Sequence, residues 1–316
     1  MLSIQKLEIK AAELFKKKEY SKVIFEITSE TEEKERSAFL CNLLGMSRIV
    51  NNKKNKDALI LAIKDFKFGY LKEKNTIHAI DGLANFITTS VFLIDLEQNH
   101  EFDFTEIFSF YKSSDKFCTN HRPINLAMAM VYRRLNHAKK LIFHFKRVIE
   151  SKKFNAIDLC NYGYWQCFDK AWSQADFFNY GKFLDQNLKV IPQNQLIEIS
   201  QTSGSKIRLG FLSSDIIQGH SITYFLKTIL SNYDKGKFEI FLLLSNPKED
   251  QLTENFKHLV DKTINISKLN NIDAVNQARK LKLDIIIDLM GYTSSQRLEL
   301  FKNRMAKNQI IWMGYC

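Results

Sequence analysis

Two short polar stretches hold the residue types that could do chemistry. The first reads Ser213-Ser214-Asp215-Ile216-Ile217-Gln218-Gly219-His220-Ser221 and delivers a carboxylate, hydroxyls and an imidazole to one loop. An imidazole that titrates near neutrality can accept a proton from a hydroxyl as it attacks an electrophilic carbon. The second reads Met290-Gly291-Tyr292-Thr293-Ser294-Ser295 and sets hydroxyls behind a glycine that permits a tight turn. Each feature also has a plain structural explanation. Asp215 or Ser221 can serve as a helix cap, and His220, alone by spacing, needs a partner before it implies catalysis. There is no GxGxxG, Gly210 stands alone inside its strand, and no Walker lysine follows, so dinucleotide and phosphate-loop readings are poor.

Both loops gain meaning from the elements around them. From residue 207 onward the apolar runs 207–213, 238–245, 263–267, 283–290 and 309–313 predict strands, with helical patterns over 222–232, 254–261, 273–281 and 296–302 between them. Nearly continuous apolar strands alternating with helices predict a doubly wound parallel α/β sheet covered on both faces. In such sheets ligands bind at the carboxyl ends of the strands, which is where both loops fall. The helix start after the first loop can also hold an anion.

Before about residue 190 the apolar residues recur at i, i+3, i+4, and helix is the consistent reading. Leu7, Ala11, Leu14, Val23 and Ile27 fit two helices broken near residues 18–20, residues 57–70 repeat the pattern, and 126–130 with 141–149 form another pair. The spacing suggests an irregular helical solenoid, with a non-repeating helical bundle as the alternative. Residues 193–205 lose the helical period and collect Ser, Thr, Asn and Gly, which marks a boundary. The aromatic-dense stretch with Tyr162, Trp172 and Tyr180 reads as packing in a helical connector, not a ligand platform.

Composition narrows the classes. The chain has 316 residues with 46 Lys+Arg and 35 Asp+Glu, a net of +11. The surplus is spread, 30 against 24 in residues 1–203 and 16 against 11 in residues 204–316, so the short lysine runs at 16–18 and 53–54 read as solvated helix faces, and nucleic-acid binding is not expected. The charged N-terminus and the lack of a long uncharged apolar run predict a soluble, untargeted chain with no membrane partner. Cys41, Cys118, Cys160, Cys167 and Cys316 are an odd set with no CxxC pair, read as reduced cytoplasmic thiols without a disulfide framework or a zinc site.

The run IRLGFLSSDIIQGHSITYFL, followed by KFEIFLLLS, DIIIDLMGYT, RLELF and QIIWMGY, resembles the first catalytic lobe of glycosyltransferase family 41, the protein O-linked N-acetylglucosamine transferases and their relatives. The ordered motifs cover residues 206–315, and the helical segments ahead of them resemble degenerate tetratricopeptide repeats. What the resemblance implies is transfer of a sugar, usually N-acetylglucosamine, from a UDP donor to Ser or Thr of a polypeptide acceptor gripped along the helical repeats, with no metal or resident cofactor. It implies an active-site role for His220 as base or substrate-positioning group, a donor-side position for Thr293 within Gly291-Tyr292-Thr293, and a loop-shaping role for Asp215, with Ser221 beside it. In metal-free transfer the leaving diphosphate must be stabilised by helix N-termini, hydroxyls and cationic side chains.

Three departures from the family pattern stand out. One extra residue lies between Asp215 and His220, Met290 occupies a position where a smaller or more polar residue is usual, and the sequence ends at Cys316, where the family continues into a second lobe with most donor contacts. The expectation is therefore a tetratricopeptide-like helical region over 1–150, a helical connector over 151–203, and over 204–316 the Rossmann-like first lobe of a GT-B glycosyltransferase, not active by itself. The reading from a different class is a non-catalytic helical-repeat protein that binds a partner polypeptide.

Overall fold

In the computed structural model the described residues are 2–52, 55–97, 103–200, 204–293 and 296–314, so Lys53, Lys54, Ser294, Ser295 and Cys316 lie outside them. The chain divides into two units, Met1–Phe154 and Asn155–Cys316.

The first unit is helical because its sequence supplies both starts and stripes. Ser3, Ser37 and Asn55 accept the N–H groups of Lys6, Leu40 and Ala58 at 3.4, 3.2 and 3.0 Å, opening α1 (Ile4–Lys16), α3 (Ala38–Asn51) and α4 (Lys56–Lys72). Between them runs α2 (Tyr20–Glu30), entered after Lys18 at φ 62°. Further on come α5 (Ile77–Glu97), α6 (Thr105–Ser113), α7 (Asp115–Cys118), α8 (Arg122–Arg134) and α9 (Ala138–Glu150). Close approach of α3 and α4 depends on small residues: a Cβ on Gly45 would lie 2.5 Å from the buried Phe66 ring, and one on Gly69 would lie 2.8 Å from Cys41 Cβ. One helix, α5, is long and apolar enough to cross a membrane by length and composition, which the sequence reading did not anticipate. Most of its apolar surface is buried inside the unit, where it packs on α3, α4 and α8 as a core helix.

The second unit opens with α10 (Ala156–Gln166) and α11 (Gln174–Asn187), held together by edge contacts among Tyr162, Trp172 and Tyr180 and by the Tyr180 hydroxyl donating to Leu159 O at 2.6 Å. The sheet follows: β1 (Ile207–Ser213), β2 (Phe238–Leu244), β3 (Lys262–Asn265), β4 (Ile285–Asp288) and β5 (Asn308–Ile311), all parallel in the order β3-β2-β1-β4-β5. Helices α12 (Ser221–Asn232), α13 (Gln251–Lys257), α14 (Asn271–Lys280) and α15 (Leu298–Lys302) form the crossovers.

Alternation along buried strands sorts side chains to the two faces. Phe211, Ile240, Leu242 and Leu244 meet Ile222, Leu226, Leu230 and Phe256 from α12 and α13, while Leu212, Phe241 and Leu243 meet Ala274, Val275, Ala278 and Leu300 from α14 and α15. The architecture is thus the expected helical region followed by a doubly wound parallel lobe. Residues 189–197, inside the stretch read from sequence as a connector, are strapped onto that lobe. Asn303 joins Ile191 N and Lys189 O at 2.6 and 2.8 Å, and the Arg279 guanidinium donates to Ile197 O at 2.5 Å and Asn303 O at 2.7 Å.

Gly69→Ala tests the close approach in the first unit. The extra methyl has no free volume at 2.8 Å from Cys41 Cβ, so overpacking of about 1–3 kcal/mol should outweigh the roughly 1 kcal/mol by which alanine favours a helix. The expected outcome is a lower denaturant midpoint.

Candidate active site

Strand order places the site. β1 pairs with β2 on one side and β4 on the other, and the next strand in sequence leaves β1 in opposite directions on the two sides. The point where the order reverses, at the carboxyl ends of β1 and β4, is where open parallel sheets bind ligands. Both loops singled out from the sequence border it.

The first loop is built stepwise. Ser213 Oγ accepts Asp215 N at 3.0 Å, and Ser214 Oγ donates to Asp215 Oδ1 at 2.8 Å, which fixes the carboxylate. Ile216 is fully buried and its carbonyl accepts the Thr253 hydroxyl at 2.6 Å, while Gln218 N donates to Asp250 Oδ2 at 2.7 Å. The chain then turns through Gly219 at φ 83°, a conformation suited to glycine. His220 becomes the N-cap of α12: its Nδ1 accepts Ile222 N at 3.4 Å and its carbonyl accepts the Thr223 hydroxyl at 2.7 Å. The Nδ1 acceptor role puts the proton of the neutral ring on Nε2, which lies 3.8 Å from Asp215 Oδ2. His220 is therefore the cap, with Asp215 as its electrostatic partner and Ser221 exposed in the first turn.

The second loop hangs from Asp288, a residue sequence reasoning did not single out. Asp288 ends β4, is 4% exposed, and accepts Met290 N at 2.9 Å on Oδ1 and Gly291 N at 3.2 Å on Oδ2. Burial pushes its carboxyl up to about 6; the two N–H donors pull against this and the Asp215 charge adds to it. Gly291 has φ 56°, and a Cβ on Gly314 would fall 2.7 Å from Gly291 N, so the segment after β5 lies tight on this turn. Thr293 closes it, donating to Met290 O at 2.7 Å through its hydroxyl. Beyond, the half-buried Arg297 guanidinium donates to Ile266 O, Leu269 O and Asn271 Oδ1 at 2.7, 3.0 and 2.9 Å.

Met290 joins the two loops, since its Sδ accepts Ser214 N at 3.1 Å. The residue that departs from the family pattern therefore has a positional reason. Tyr292 goes elsewhere: its ring packs where a Cβ on Gly163 of α10 would come within 2.9 Å, and it lines a cavity of about 470 Å³ with Leu184, Leu188, Leu298 and Phe301. The two loops thus gather Asp215, His220, Asp288 and the backbone of residues 290–291, and the Tyr292 ring lies beside Gly163 and lines that cavity. Among the described residues no three His, Cys, Asp or Glu side chains converge as metal ligands.

Residues 186–316 match the model of "Glycosyl transferase family 41". Over 113 residues the chain is 30% identical to the probable UDP-N-acetylglucosamine–peptide N-acetylglucosaminyltransferase SPINDLY of Arabidopsis thaliana, covering 34% of this chain and 12% of the relative. Over 155 residues it is 27% identical to the UDP-N-acetylglucosamine–peptide N-acetylglucosaminyltransferase of Caenorhabditis elegans, covering 47% and 12%. A lysine-to-methionine mutant of the Thermobaculum terrenum O-GlcNAc transferase aligns with a TM-score of 0.60 at 13% identity, over 87% of this chain and 51% of that one, a likeness of fold. The matched stretches are thus small parts of the curated relatives. The stretch that matches the family model includes every candidate site residue named above.

Following the Asp288 carboxyl carbon resonance with pH should give a midpoint near 6. A midpoint at the ordinary 3.8 would mean that water reaches the carboxyl.

Proposed function

We propose that this chain is part of a glycosyltransferase of the protein O-GlcNAc transferase type, which moves a sugar, N-acetylglucosamine by family, from a UDP donor to a Ser or Thr hydroxyl of a polypeptide. The observation that carries the reading is the coincidence of the family 41 motifs with the switch-point crevice between β1 and β4. The acceptor polypeptide is assigned to the helical hairpins of the first unit. A cytoplasmic setting fits the cysteines Cys41, Cys118, Cys160 and Cys167, which form no disulfide among the described residues.

In this reading His220 works as a base through Nδ1. Its cap bond is long at 3.4 Å and its side chain is 43% exposed, so an incoming hydroxyl can compete for that lone pair. As the proton arrives, Nε2–H already faces Asp215, whose carboxylate stabilises the imidazolium, the logic by which a third group supports a base. The sugar–phosphate bond breaks as the hydroxyl oxygen bonds to the anomeric carbon. The start of α12, with the exposed Ser221 hydroxyl in its first turn, supplies a dipole and a donor toward the leaving diphosphate. Asp215 and Thr293 orient, and Gly291 keeps the backbone close. No resident cofactor or metal enters these steps.

One observation favours the second reading, a non-catalytic helical-repeat protein that holds a partner polypeptide. An apolar hollow of about 300 Å³ opens among Met46, Val50, Phe66, Phe92 and Met130 in the first unit.

His220→Ala separates the two. Transfer from UDP-N-acetylglucosamine to a Ser/Thr polypeptide, followed by mass spectrometry, should lose about 10²–10⁴-fold in kcat/KM, while polypeptide binding is kept. Made in a complete transferase that contains this chain, the variant removes His220 from the mechanism if transfer is unchanged, and polypeptide binding with no transfer by that unaltered protein supports the second reading.

A further inference from the structure

An aspartate in the interior of a parallel sheet is expensive, because burial disfavours its charge and the strand run Ile285-Ile286-Ile287 ahead of it is otherwise apolar. What the carboxyl accomplishes is local. Its two oxygens hold Met290 N and Gly291 N, which turns the chain away from the ladder one residue after β4, and its own carbonyl accepts Trp312 N at 2.9 Å from the segment after β5. The turn aims Met290 so that Sδ takes Ser214 N at 3.1 Å; Ser214 in turn bonds Asp215, and Asp215 faces His220. A run of contacts therefore leads from the floor of the sheet to the imidazole: its links from Asp288 to Asp215 are hydrogen bonds, and its last, Asp215 to His220 at 3.8 Å, is electrostatic.

We infer that Asp288 is a positioning residue of this site: it sets the turn that carries residues 291–293 and, through Met290 and Ser214, fixes the Asp215–His220 pair. That this positioning serves sugar transfer rests on the reading above, whereas the geometry is open to test without turnover. The titratable groups that face Asp288 are Asp215, from the loop after β1, and the Cys160 thiol of α10, which burial pushes up to about 12 and keeps neutral.

The experiment is amide hydrogen exchange, resolved by residue, on the full chain. In Asp288→Asn an N–H of the new amide opposes a backbone N–H, so Met290, Gly291 and Ser214 should exchange about tenfold faster or more, as expected when hydrogen bonds to a charged acceptor are lost. Leu242 in β2 should keep its protection, and the His220 Cε1–H resonance should move. The raised carboxyl adds a pH dependence of opening. Opening the turn hydrates Asp288 and returns it toward 3.8, so opening becomes easier as pH rises from 3.8 through about 6 and then levels off. After correction for intrinsic exchange the unaltered chain should show this trend and Asp288→Asn should not.

Met290→Leu conserves volume and removes only the sulfur acceptor. Ser214 should then lose protection while Met290 and Gly291 keep theirs, a result readable even if Asp288→Asn does not fold. Ser214 protection and a His220 resonance unchanged in Met290→Leu, or in a folded Asp288→Asn, would overturn the inference. So would exchange at residues 290–291 in the unaltered chain that ignores pH across this range.

Discussion

The second unit depends on one constraint, the position of β1 between two parallel neighbours. Parallel pairing forces a crossover after every strand, and crossovers on both faces bury the central strands β1, β2 and β4. With the central strands covered on both faces, the carboxyl ends beside β1, where the order reverses, are the ground on which open parallel sheets bind ligands. The apolar strands, the helices that cover them and the crevice are thus consequences of one pairing pattern.

Given that crevice, its chemistry is decided by how polar groups are held in a dry place. Ser213, Ser214 and Thr293 spend hydroxyls on fixing backbone and carboxylate, so the loops are shaped before any ligand arrives. His220 caps α12 and faces Asp215, which ties the orientation of a potential base to the start of a helix whose Ile222, Leu226 and Leu230 are anchored in the core. Arg297 and Asn303 secure the flanks, the first by binding carbonyls after β3 and the second by gripping residues 189–191. Rigid support of this kind is what a transfer site needs if reacting groups are to stay aligned.

Much of this was legible in the sequence because it is periodic. The strands could be read as apolar runs, and residues 213–221 and 290–293 stood out by residue type. What was not legible depends on contacts remote in sequence. The run 283–290 reads as one strand, yet pairing ends at Asp288 because the carboxyl takes the N–H groups that a longer ladder would have used. Helix α13 starts at Gln251, earlier than the expected 254, because Asp250 and Thr253 cap each other ahead of the apolar pattern. Tyr292 looked like a donor-side residue, but only the fold reveals Gly163 making room for its ring. In the first unit, α5 is apolar around most of its circumference, so the periodicity that marks a surface helix is weak.

The central claim is that the β1/β4 crevice takes the UDP-sugar. Titrating UDP-N-acetylglucosamine at millimolar concentration into the isotopically labelled chain, and following amide and methyl resonances, tests it most directly. The account predicts shifts confined to residues 213–221 and 290–293, centred on His220 and Gly291. Shifts that spare these residues and fall within the helices of the first unit would contradict it.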